Sequence, residues 1–179
     1  MWLALGFLSA LLLGIYDVSK KVSLQNNAVI PVLFTSILFS CSILSPFLII
    51  SNVQPHWLEG TPFFVPSVDI RTHLFLVLKA VIVLSSWLFA YFAMKHLPIT
   101  IASPIKATQP VWVVIGGVLI FGEKLSGFQM AGVAITLVSF FMFSFAGKRE
   151  GFSAGSNKWI IFIILATLTG AISGLYDKY

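Results

Sequence analysis

Charge is scarce in this sequence. Only 9% of its 179 residues are Asp, Glu, Lys or Arg, while 58% are hydrophobic; a soluble domain carries about 25% charge. Too little polar surface exists to coat a water-soluble globule of this size, which leaves an integral membrane protein. Acidic residues are the rarest of all, six against eleven Lys and Arg, for a net charge of +5. The cations stand singly between apolar runs and not in a patch. They read as membrane-flanking anchors, and no nucleic-acid partner is expected. A single cysteine, Cys41, excludes an intramolecular disulfide and reads as a small packing residue in an apolar run. The three histidines, His56, His73 and His96, lie far apart at loops or helix ends. There is no His-Glu-x-x-His, no phosphate-cradling glycine loop and no nucleophile–base set. No catalytic residue, metal site or cofactor is therefore expected, and an intramembrane enzyme is disfavoured.

What the sequence does have is long apolar runs. Six segments, each of roughly 17–23 residues, approach the ~20 needed to cross a ~30 Å hydrocarbon core. They cover about 2–18, 28–50, 72–95, the two arms of 103–145, and 158–175. In lipid the backbone must satisfy its own hydrogen bonds, so these are helices. The fold class is all-α: a polytopic helical membrane protein with about six transmembrane helices. The first segment lacks a basic region before it and a small-x-small cleavage site, so it reads as a retained span. The longest loop, 51–71, is broken by Pro55, Pro62 and Pro66, and its aromatic pieces read as interfacial. Residues 147–157 (GKREGFSAGSN) read as a linker, with Gly147 as the stop of the fifth helix.

The stretch 103–145 reads as a transmembrane hairpin around Gly122-Glu123-Lys124-Leu125-Ser126-Gly127. Glu123 is expected to cap the following helix, where a carboxylate gains ~0.3–1 kcal/mol. Pro110 removes a backbone hydrogen bond and frees a carbonyl about one turn earlier, near Lys106. Broken helices of this kind contact substrate in transporters, which makes Lys106, Gln109 and Pro110 candidate cavity residues. Lys79 lies about 10 Å inside the third segment, where a lysine costs a couple of kcal/mol unless it snorkels or faces water. Lys79, Ser86, Ala90 and Ala93 share one small, polar helical face suited to line a cavity. Tyr91 and Tyr16 complete the candidate substrate-binding set. Tyr16, Asp17, Lys20 and Lys21 also admit a reading as interface anchors, with Asp17 paired to a lysine one turn on.

An internal echo organises the chain. Gly14-Ile15-Tyr16-Asp17 aligns with Gly174-Leu175-Tyr176-Asp177, 160 residues later, each copy at the end of an apolar segment. Five helices per unit is an odd number, so a second unit would enter the membrane in the opposite sense. That is an inverted repeat, the architecture of secondary transporters. The expected organisation is a first five-helix repeat over 1–147, a linker over 148–156, and the first helix of a truncated second repeat over 157–179. The chain then reads as a fragment of a protein of about ten helices.

Ser103-Pro104-Ile105, Gln109-Pro110, Phe121-Gly122-Glu123-Lys124-Leu125-Ser126 and Gln129-x-x-Gly132, in that order, give the chain a family signature. It resembles the EamA-like branch of the drug/metabolite transporter superfamily. The Gly14 and Lys21 spacing also fits that family, although Leu13 stands where it often has tryptophan. The resemblance implies two inverted five-helix halves around a central cavity that moves small metabolites or drugs without ATP. It implies as partners the lipid bilayer, a small-molecule substrate, and either a missing second half or an inverted partner chain. The alternative is a half-size membrane subunit that functions only by pairing with such a partner. A bacterial inner (plasma) membrane is the expected location. Loops one, three and five carry Lys20, Lys21, Lys95, Lys148, Arg149 and Lys158, whereas loops two and four carry only Arg71 and Lys124. The positive-inside rule puts the lysine-rich loops in the cytoplasm and the N-terminus outside, whereas the resemblance favours a cytoplasmic N-terminus.

Overall fold

The computed structural model of the protein describes residues 2–149 and 157–178. Most of the expected linker, residues 150–156, lies outside the described residues. Seven α-helices follow one another: α1 (Trp2–Ser23), α2 (Val29–Val53), α3 (Ile70–His96), α4 (Ile99–Ala107), α5 (Gln109–Phe121), α6 (Gly127–Arg149) and α7 (Lys158–Tyr176). A single 3-10 turn, Pro55–Trp57, interrupts the long loop. The described residues contain no strand, and the protein is a polytopic helical membrane protein. Four spans are long and apolar enough to cross a bilayer: α2, α3, the α4–α5 pair over Ile99–Phe121, and α7. α1 and α6, at 22 and 23 residues, reach about 33 Å at 1.5 Å per residue.

Sequence chemistry explains where these helices break, start and stop. Pro46 lies inside α2 without ending it. The Ser42 carbonyl, deprived of its N–H partner, accepts the Ser45 hydroxyl at 3.2 Å instead. The fourth span does break, at Thr108, two residues before Pro110. The Ile105 carbonyl at the break accepts the Thr108 hydroxyl at 2.7 Å and the Thr167 hydroxyl of α7 at 3.5 Å. α5 stops at Gly122, which sits at φ +65°, a left-handed conformation that glycine adopts without a Cβ penalty. α6 runs to Arg149, so Gly147 does not stop it. α3 starts at Asp69, whose carboxylate accepts the hydroxyl and the backbone N–H of Thr72. These bonds hold the Asp69 carboxyl below its ordinary range.

The cap of α6 corrects a sequence expectation. Ser126 N–H donates to Gln129 Oε1 at 2.8 Å, and Gln129 N–H donates to Ser126 Oγ at 3.4 Å. This is a capping box, Ser-x-x-Gln. Glu123 lies three residues before the cap at Ser126 and pairs with Lys178 at 2.8 Å. Ser126→Ala is therefore expected to lower stability by about 1 kcal/mol. Glu123→Gln, at an exposed pair, should cost a few tenths of that scale. Thermal unfolding of the two variants in detergent ranks them, and a larger loss for Glu123→Gln would reverse the assignment.

The core lies between α3 and α7. α7 runs antiparallel along α3, and contacts mark its whole length. The Trp159 ring stacks on His96 with centroids 3.6 Å apart, and Phe162 packs edge-on to Phe92 and Phe89. Ser86 Oγ donates to the Ala166 carbonyl at 2.7 Å. Near the far end Lys79 pairs with Asp177, and the Tyr176 hydroxyl donates to the Phe75 carbonyl at 3.2 Å. The small face of α3 at Ser86, Ala90 and Ala93 is thus filled by α7, which buries all three residues. Small residues there let the two backbones approach.

Contacts also sort the helix ends onto two sides. Lys95 Nζ donates to the Asn27 carbonyl at 2.9 Å, and Lys21 Nζ donates to the Met94 and Leu97 carbonyls at 2.6 and 2.7 Å. With Trp159 on His96, these join the α1–α2 turn, the end of α3 and the start of α7 on one lysine-rich side. The Glu123–Lys178 and Lys79–Asp177 pairs gather the α5–α6 turn, the end of α7 and the first half of α3 toward the other. α1 docks only through its last two turns; from Leu5 to Ile15 its apolar side chains are exposed.

Candidate functional site

A polar cluster forms where α1, α3 and α4 meet on the lysine-rich side. Asp17 and Lys20, one turn apart on α1, pair at 2.7 Å. Lys106, on α4, approaches the same carboxylate oxygen at 3.6 Å. Lys20 is 5% exposed. Its ammonium lies 4.4 Å from the Tyr16 ring centroid and 5.4 Å from that of Tyr91, where the ring faces stabilise a cation. The Tyr16 and Tyr91 hydroxyl oxygens are 3.4 Å apart, joining α1 to α3. Lys106 is seven residues past the start of α4 at Ile99, about 10 Å in from that helix end at 1.5 Å per residue. The set offers one carboxylate, two ammonium groups and two phenols. Such groups bind charge and orient a polar ligand; they do not form a nucleophile–base pair. Among the described residues no three His, Cys, Asp or Glu side chains converge as for a metal.

Of the residues singled out in the sequence, the fold brings Tyr16, Tyr91 and Lys106 together in this cluster. Pro110 opens α5 just beyond the Thr108 break, close in sequence to Lys106. Ser86 and Gln109 instead face α7. Ser86 bonds its backbone, and a Cβ added at Gly170 would come within 2.7 Å of Gln109 Oε1. Lys79 lies toward the opposite end of α3, paired with Asp177, and also borders an apolar hollow of about 500 Å³ with Ile37, Val83 and Trp87. Along α1 an open, largely apolar surface runs from Leu5 past Ser9 and Leu12 to Tyr16.

Asp17 and Lys20 lie outside the candidate set read from the sequence; their one-turn spacing, and for Asp17 the echo at Asp177, are the local signals for them. From the sequence Lys21 reads as an interface anchor. Lys21 caps the Met94 and Leu97 carbonyls at the end of α3, where the helix dipole favours a cation. Its partners lie more than 70 residues away, beyond any local pattern.

Comparison with known proteins matches residues 1–145 to the model of the EamA-like transporter family. An uncharacterized transporter of Archaeoglobus fulgidus is 27% identical over 107 residues, covering 59% of this chain and 37% of that relative. The chain thus matches well under two thirds of the relative's length. No solved structure matches. With four-fifths of its length inside the family model, and with helices of the number and polarity that a membrane protein needs, the chain belongs to the EamA-like transporter family.

Proposed function

We propose that this chain is part of a secondary transporter that moves small metabolites or drugs by alternating access, with the cavity bounded by α1, α3 and α4. The observation that carries this reading is the Asp17–Lys20–Lys106 cluster beside the broken fourth span. Ionisable groups inside membrane segments are costly, and they are retained where they bind substrate, ions or one another across a cavity. A helix break at membrane depth beside them is the other recurring part of such sites.

In this reading residues 1–147 form one five-helix unit and residues 157–179 open its inverted counterpart. Two features support that. Gly14, Tyr16 and Asp17 recur as Gly174, Tyr176 and Asp177, and each tyrosine reaches α3. The end of α1 meets the end of α3, whereas α7 runs antiparallel to α3, so the two related helices have opposite senses. The second unit is supplied by the same polypeptide or by a partner chain. The membrane is a prokaryotic plasma membrane, bacterial as the sequence reading has it or archaeal as the relative's source allows. The lysine-rich side faces the cytoplasm by the positive-inside rule.

The test is counterflow in proteoliposomes, with the full-length protein and a labelled panel of amino acids, nucleobases and ethidium. Accumulation of at least one solute, lost in Lys106→Met, is expected. The 179-residue chain alone should give none. Uptake by that chain as a monomer would overturn the requirement for a second unit, and no uptake by the full-length protein would overturn transport for these solutes.

A further inference from the structure

The charges on the lysine-rich side do not balance. Of the six carboxylates in the sequence, Glu59, Asp69, Glu123 and Asp177 belong to the other side's loops and helix ends, and Glu150 lies outside the described residues. Asp17 is thus the sole carboxylate described on this side. Lys21 and Lys95 are held there by backbone carbonyls, and Lys158 by the Trp159 ring. Lys20 and Lys106 share Asp17, and they share it unequally. Lys20 holds it at 2.7 Å with its side chain 2% exposed; Lys106 stands off at 3.6 Å with a third of its side chain exposed. One positive charge is left over, about 10 Å inside the helix end, on the more accessible lysine. Tyr16 borders both this cluster and the open apolar face of α1.

We propose that Lys106, beside the Asp17–Lys20 pair, binds the carboxylate of a small organic acid whose apolar body lies along α1. The incoming anion completes the charge balance that Asp17 leaves short, and Lys106 turns from Asp17 toward it. An ammonium at partly buried depth favours an anion over an uncharged isostere, because a charge-assisted hydrogen bond is the stronger kind. This assignment names the substrate class for the transporter reading and rests on it.

Binding can be measured apart from transport. The full-length protein in phosphatidylcholine nanodiscs is titrated with N-acetylleucine and with N-acetylleucinamide, which share a body and differ in charge. The acid is expected to bind about tenfold more tightly than the amide, the scale of one charge-assisted hydrogen bond. Lys106→Met and Lys106→Gln should bring the two affinities level, and Lys106→Arg should keep the preference. Equal affinities in the unmodified protein, or a preference that survives both neutral variants, would overturn the proposal; the first comparison needs no variant to fold. Displacement of the acid by phosphatidylglycerol added to the disc would overturn it in favour of a lipid headgroup. A protein that binds the acid through Lys106 but moves nothing across a vesicle would sink the transporter reading alone.

Discussion

Asp17→Ala is expected to be the most damaging single change in α1, costing about 3–5 kcal/mol of stability. The reason is what it leaves behind. Lys20 has a side chain that is 2% exposed, and its ammonium has one anionic partner, Asp17 at 2.7 Å. Without that carboxylate the two tyrosine rings at 4.4 and 5.4 Å remain, and a cation–π contact offers only about 0.5–2 kcal/mol. Lys106 would lose its counter-charge at the same time. An exposed pair at the same one-turn spacing would contribute a few tenths of a kcal/mol, so burial decides the size of the effect. Thermal unfolding and monodispersity in detergent measure it. The paired control is Asp17→Leu with Lys20→Met, which removes both charges. It should recover most of the loss, because apolar replacement of a buried ion pair is often neutral or stabilising. Wild-type stability in Asp17→Ala would mean that Lys20 reaches water and that the cluster is a surface feature.

The contrast between Lys20 and Lys79 marks where sequence reading stops. Both are lysines within apolar helices; from sequence Lys79 admits a snorkelling reading and Lys20 one as an interface anchor. Hydropathy located their helices, because a span of about 20 apolar residues is a one-dimensional property. It could not say which cation the fold would enclose. That depends on Tyr91, 71 residues from Lys20 in sequence, and on α7, whose arrival pairs Lys79 with Asp177. The face of Ser86, Ala90 and Ala93 was likewise legible as small and polar; its occupant, α7, was not. Small faces serve both cavities and close helix contacts, and only the partner distinguishes them. The α6 cap is a different kind of miss. Ser126-x-x-Gln129 was readable as a capping box, yet the nearby charge of Glu123 drew the assignment. The Tyr-Asp echo was local sequence and was legible. That its two copies reach α3 from helices of opposite sense is a matter of three-dimensional packing.

Gly170→Leu should produce the second large effect, by forcing α7 away from the break between α4 and α5. A Cβ at Gly170 would already stand 2.7 Å from Gln109 Oε1 and 2.8 Å from its Cδ, closer than van der Waals contact. An alanine can be accommodated if the Gln109 side chain swings aside. A leucine cannot, since Thr167, one turn earlier on α7, is 2% exposed and packed within reach of the Ile105 carbonyl. Overpacking of this kind costs about 1–3 kcal/mol, and it would also strain the Ser86–Ala166 bond on the neighbouring face. The informative comparison is a double-mutant cycle, with Gly170→Ala, Gln109→Ala and both together, read by thermal unfolding. If the Gln109 amide is the obstacle, the pair should be more stable than the sum of the single changes by at least about 0.5 kcal/mol. Strict additivity would show that Gln109 already points away from α7 and is free to face a ligand. The cycle thereby decides between two uses of one side chain. Coupled, Gln109 holds α7 against the fourth span; uncoupled, it joins Lys106 as a polar group beside the break.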